Sequence, residues 1–208
     1  MRRIVSGSVV VLLAVFGVRT AAQAPAEAVD ADAKPAVALL LSGSLGGGSH
    51  YAAGSMSFGI GATLLLRYRI LLLGTTADAD IYLRGYGTTH LGLLAGATRR
   101  LVPWIRLEAL AEYGTHRIVG VGTEILETRP VSPDSIRMRY AGVRLGVLSA
   151  FPAAPPHLVA GFWLSYREDL SRKRMDVLVE RLSGLRETHT YTVGGREFGF
   201  IARAGLEF

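Results

Sequence analysis

From Val37 onward the apolar residues of this chain fall at every second position. In "SMSFGIGATLLLRYR" one face reads Met56, Phe58, Ile60, Ala62, Leu64, Leu66 and Tyr68, and the other Ser57, Gly59, Gly61, Thr63, Leu65, Arg67 and Arg69. Such alternation is the mark of a strand with two unlike faces and fits helical spacing badly. "PWIRLEALAEYG" and "HLVAGFWLSYR" repeat it. Eight segments of this kind are predicted: 36–46, 55–68, 70–81, 89–100, 104–116, 136–149, 157–168 and 196–208. The gaps between them alternate in length. Short ones fall near Arg69, at 101–103 and at 150–156, and long ones at 47–54, 82–88, 117–135 and 169–195.

An even number of strands joined alternately by short turns and long loops is the plan of an up-and-down barrel in a bacterial outer membrane. The expected fold is therefore an all-β, eight-stranded antiparallel transmembrane barrel over residues 36–208. A closed barrel can also form in water around a small apolar ligand, which leaves a lipocalin-like carrier as the structural alternative. The two differ in which face looks outward. The polar face here is rich in glycine, including Gly59, Gly61, Gly92, Gly96, Gly142, Gly146 and Gly161. Small residues leave room for long ionic side chains inside a narrow barrel, so the polar face is expected inside and the apolar face against lipid.

The ends of the apolar faces support the same orientation. Phe58, Tyr113, Tyr166 and Phe198 fall at the outer ends of their strands, with Tyr68 and Phe208 at the periplasmic ends, as aromatic girdles at two interfaces require. The interior face then carries Arg106, Glu108, Glu112, Arg144, Arg167, Arg203 and Glu207. Buried charges cost several kcal/mol each unless paired, so these seven are expected to form a network that plugs the barrel rather than an open pore. Alignment of the fifth and sixth strands sets Glu108 opposite Arg144. Alignment of the last two sets Arg203 beside Trp163, within reach of cation–π stacking.

Composition adds location. Arg2 and Arg3 precede the apolar stretch Ile4–Val18, and small residues follow at Thr20–Ala22, the pattern of a secretory signal peptide over residues 1–22. Residues 23–35 read as a flexible periplasmic lead-in. Cleavage removes Arg2, Arg3 and Arg19, lowering the basic count from 23 to 20 against 17 acids, so the high isoelectric point gives no reason to expect a nucleic-acid partner. Cysteine is absent, which excludes disulfides and thiolate metal sites.

A signal peptide, eight alternating strands and a last strand ending in Phe208 resemble the OmpA/OmpX-like family of small outer-membrane β-barrels. In outer-membrane proteins a terminal aromatic preceded by alternate apolar residues is read by the barrel-assembly machinery, so the resemblance implies that role for Phe200, Leu206 and Phe208. It also implies an outer-membrane location with both termini periplasmic and the long loops extracellular. Structural and surface-interacting members stand beside lipid A-modifying enzymes in such a group, so an enzyme is the functional alternative.

Candidate chemistry is sparse. None of His50, His90, His116, His157 and His189 has a serine two residues on, the pairing that the resembled lipid A deacylases carry. No catalytic, cofactor-binding or metal-binding residue is assigned. Asp78 and Asp80 share a face and are read as the solvated upper interior of the third strand. Among the loops, 117–135 and 169–195 hold β-like runs that suggest strand pairs beyond the membrane, a place for a protein partner by β-augmentation. Residues 172–182 also fit a short amphipathic helix through Met175, Leu178, Val179 and Leu182. Arg137, Arg139, Arg172, Lys173 and Arg174 near the outer interface suit phosphate contacts with lipopolysaccharide headgroups and outer-membrane lipids.

Overall fold

The structure, a computed structural model, describes residues 35–50, 54–83, 86–120, 128–132, 135–151, 156–181 and 183–208. The segments expected to be a signal peptide and a lead-in lie, up to residue 34, outside them. Eleven strands form: β1 (Ala36–Gly48), β2 (Ser55–Tyr68), β3 (Leu71–Tyr82), β4 (Gly87–Val102), β5 (Ile105–Val119), β6 (Thr128–Ser132), β7 (Ser135–Ala150), β8 (His157–Asp169), β9 (Lys173–Arg181), β10 (Arg186–Val193) and β11 (Arg196–Glu207). Eight of them close into an antiparallel barrel in the order β1-β11-β8-β7-β5-β4-β3-β2. Each neighbour along the barrel is also the neighbour in sequence, once β6, β9 and β10 are set aside. The seam pairs the first strand with the last, from Ala38 opposite Glu207 to Gly48 opposite Glu197. Every barrel strand therefore has two hydrogen-bonded neighbours, which a spanning structure in hydrocarbon requires.

The alternation read from the sequence maps onto inside and outside without a break. Ile60, Ile81, Leu41 and Leu93 are 74%, 72%, 66% and 65% exposed, and Leu64, Leu73, Leu91, Leu164 and Phe200 share that outer surface. A continuous apolar exterior of this kind would be strongly unfavourable in water. The interior holds the charges, and this arrangement rules out the lipocalin-like alternative, whose apolar face would line the cavity. Aromatic residues mark both rims. Phe58, Tyr113 and Phe198 are exposed at the upper one, where the Phe198 and Tyr166 rings meet at 4.9 Å. Tyr68 and Phe208 are exposed at the lower one, joined by Trp104 and Phe151 from the turns.

Beyond the barrel, β9 and β10 form a hairpin and β6 adds to β9, giving a three-stranded sheet built from two different loops. Residues 173–181 are thus a strand, not the amphipathic helix that their spacing also allowed. Pairing with 186–193 satisfies their backbone groups, whereas a short helix in water is marginal alone. The short turn between β2 and β3 holds Arg69 at φ 54°, the left-handed region.

Candidate functional site

The barrel interior is layered from the lower rim upward. At the lower rim Arg106 donates to Glu207 at 2.9 Å and Arg67 pairs with the same carboxylate at 2.9 Å. Above lies an apolar layer of Leu40, Leu65, Leu72, Leu94, Leu110, Leu148, Val159, Trp163 and Ile201. Embedded in it, Arg203 pairs with Glu108 at 2.6 Å and stacks on Trp163, its guanidinium carbon 3.6 Å from the ring centre. Trp163 Nε1 donates to the same Glu108 at 3.0 Å. Glycines create this space: a Cβ on Gly146 would collide with the Trp163 ring and the Phe162 carbonyl oxygen.

The middle layer contains two guanidiniums and two carboxylates. Arg144 donates to Glu112 and to Asp78 at 2.8 Å, Arg167 pairs with both of the same acids, and Tyr140 donates to Glu112 at 2.7 Å. Two expectations are corrected here. Glu108 lies across from Gly146, and Arg144 from Leu110, so the expected Glu108–Arg144 pair is off by one step of two residues along the face. Asp78 and Asp80 are buried rather than solvated, because the guanidiniums and Ser44 reach them from neighbouring strands.

Above this layer the interior changes character and becomes histidine-rich. His90 on β4 and His116 on β5 are direct cross-strand partners, and His50 follows the end of β1. All three are buried. Asp169 Oδ1 lies 2.8 Å from His116 Nε2, and its Oδ2 lies 3.1 Å from His50 Nδ1. The Gly195 amide fixes that carboxylate from a third side at 2.7 Å. Glu197 Oε2 lies 3.2 Å from His90 Nε2 and 3.5 Å from His50 Nε2. Asp80 Oδ2 lies 3.5 Å from His90 Nδ1. Burial disfavours charge on His50, but hydrogen bonds to Asp169 and Glu197 outweigh it and raise its pKa to about 9. Over this layer Tyr82, Tyr86, Ile118, Met138 and Val193 form an apolar cap, with Tyr82 and Tyr86 stacked at 4.3 Å.

The seven predicted interior charges all line the lumen, joined by Arg67, Asp78, Asp80, Asp169 and Glu197 and the three histidines. The space bordered by Ser44, Ser57, Asp78, Asp80, Arg167 and Glu197 measures about 10 Å³, room for a single water at most. The interior is filled, not open. Among the described residues, the ion-pair and hydrogen-bond partners of His50, His90 and His116 are carboxylates and one another. Phe200, Leu206 and Phe208 lie on the outward face of the last strand.

Fold and interior together define a small, plugged, outer-membrane-type β-barrel. No family model matches the sequence, and no curated protein matches it. Among solved structures, neisserial surface protein A is similar, with a TM-score of 0.51 at 14% identity, covering 80% of this chain and 97% of that one. Ail, the attachment invasion locus protein of Yersinia pestis, is similar at a TM-score of 0.45 and 12% identity over 84% of this chain and 99% of its own. These likenesses concern the fold.

Proposed function

We propose that this chain is an integral outer-membrane barrel that conducts no solute and acts as a structural, surface-presenting protein. The observation that carries it is the inversion of the barrel: isoleucines and leucines outside, ion pairs inside. A membrane is the medium in which that inversion is favourable. The three short turns then face the periplasm with both termini, and the long loops, with the sheet β6-β9-β10, face outward. Phe208 at the end of the seam strand serves as the assembly signal, with Phe200 and Leu206 on the same face.

The outward face of β7 changes from apolar to basic as it leaves the girdle, at Arg139 and Arg137, and Arg117 of β5 lies directly across from Arg137. Like charges set opposite each other destabilise a strand pair unless an anion lies between them. Arg172, Lys173 and Arg174 are exposed nearby, and Lys173 Nζ donates to the Arg137 carbonyl at 2.8 Å. Phosphate groups of lipopolysaccharide are suited to this rim. The free edges of the outer sheet are suited to a protein partner by strand addition.

The test is fractionation of cells expressing the full chain, followed by gel migration with and without heating. Recovery in the outer membrane as a heat-modifiable species is expected, and recovery as a soluble species contradicts the reading. Lipopolysaccharide should raise the unfolding temperature of the reconstituted barrel, and Arg137→Gln with Arg139→Gln should remove most of that rise. An undiminished rise would show that the headgroups bind elsewhere.

A further inference from the structure

The histidine layer is more ordered than charge neutralisation alone requires. Each imidazole sets one nitrogen against an aspartate: His50 Nδ1 and His116 Nε2 against Asp169, His90 Nδ1 against Asp80. The opposite nitrogens are His50 Nε2, His90 Nε2 and His116 Nδ1. His90 Nε2 lies 3.3 Å from His116 Nδ1 and 3.2 Å from Glu197 Oε2, and that oxygen lies 3.5 Å from His50 Nε2. One ring nitrogen from each of the three histidines lies within 4.8 Å of the others. Ligands bound tetrahedrally to zinc at ~2.0–2.1 Å stand about 3.3 Å apart, so three successive spacings already match edges of that polyhedron.

Hydrogen bonding leaves this arrangement incomplete. A proton on His90 Nε2 serves either His116 or Glu197, not both. His50 Nε2 and Glu197 Oε2 are buried and lie 3.5 Å apart, at the long limit of a hydrogen bond. Charge points the same way. Arg144 and Arg167 are balanced by Asp78 and Glu112 in the layer below, while Asp80, Asp169 and Glu197 set three carboxylates around the three imidazoles. Of these three carboxylates Arg167 pairs with Glu197, at 3.6 Å. Three buried carboxylates among three imidazoles call for positive charge, which a bound cation supplies as ring protons otherwise would.

We propose that His50, His90 and His116 hold a divalent transition-metal ion, with zinc the best fit, Glu197 as fourth ligand, and Asp169 and Asp80 as the acceptors that orient the imidazoles. Three imidazoles and a carboxylate without sulfur suit zinc, and also nickel or copper, better than magnesium or calcium. Carboxylates behind ligating histidines fix ring orientation and raise ligand basicity. The ion joins the segment after β1 to β4, β5 and β11, with Asp169 bringing in β8, and so ties the outer strand ends together under the Tyr82–Tyr86 cap.

The test uses the full chain, refolded in detergent, stripped with a chelator and then loaded with Zn²⁺ or Co²⁺. Elemental analysis after desalting should find one ion per folded chain, and Co²⁺ should give the strong visible bands of a tetrahedral, nitrogen-ligated centre. His116→Gln should abolish retention, and Asp169→Asn should weaken it about 10–100-fold, both with the heat-modifiable folded form kept. No retained metal in the folded wild type, a pale octahedral Co²⁺ spectrum, or unchanged binding in folded His116→Gln would each overturn the proposal. If the variants fail to fold, the wild-type Co²⁺ spectrum decides alone.

Discussion

Arg203 and Trp163 form one unit in the apolar layer of the barrel: the guanidinium lies 3.6 Å from the indole centre, and both groups engage the same Glu108 carboxylate. Removing the cation leaves Glu108 buried and uncompensated. Arg203→Met is therefore expected to cost about 3–5 kcal/mol, read as a lowered urea midpoint of the folded barrel in detergent. Adding Glu108→Gln to Arg203→Met should restore part of the loss. A single variant as stable as the wild type would show that the pair is dispensable.

The interior glycines should differ sharply from those facing lipid. A methyl group at Gly146 meets Trp163 and the backbone of Phe162, while nothing lies within 4 Å of a Cβ on Gly43. Gly146→Ala should destabilise by about 1–3 kcal/mol through overpacking. Gly43→Ala should be neutral or slightly stabilising, since it restricts the unfolded chain. Equal unfolding midpoints for the two variants would argue against a tightly filled lumen.

The outer hairpin is expected to be separable from the barrel. Met175 and Tyr191 are cross-strand partners, so residues 176–190 can be replaced by Asn-Gly, a turn that hairpins favour. The shortened chain should refold to a heat-modifiable form with stability within about 1 kcal/mol of the full chain, because contacts at that distance from the core count little. Failure to give that form would make the hairpin part of the folding unit.

The sequence discloses the barrel far better than it discloses the histidine layer, and the reason is geometric. Period-two alternation over eight segments states which side chains share a face, and that alone requires closure when one face is charged and the other apolar. Register is a different matter. The Glu108–Arg144 expectation slipped because β5 and β7 are joined by a long loop, which leaves their alignment free by steps of two. β4 and β5 meet at the tight turn after Val102, but a β-bulge between Arg100 and Val102 shifts the register by one, so equal counting from that turn would set His90 opposite Arg117 rather than His116. The signal in the sequence was parity alone, which puts both histidines on the inward faces of adjacent strands. His50 carried none, since it lies beyond its strand, and Asp169 and Glu197 close the ring only through the seam and tilt of the whole barrel. The segment 173–181 was ambiguous for another reason: its apolar positions satisfy both periods, and only pairing with 186–193 decides between them.

Side chains in alternating ionic and apolar layers fill this membrane barrel from rim to rim, and the most direct test is a planar-bilayer recording from the purified, folded monomer. The layered network of Arg106–Glu207, Arg203–Glu108 and Arg144/Arg167–Glu112 predicts a silent bilayer at moderate voltage and neutral pH. A steady, reproducible unitary conductance from the monomer would contradict it.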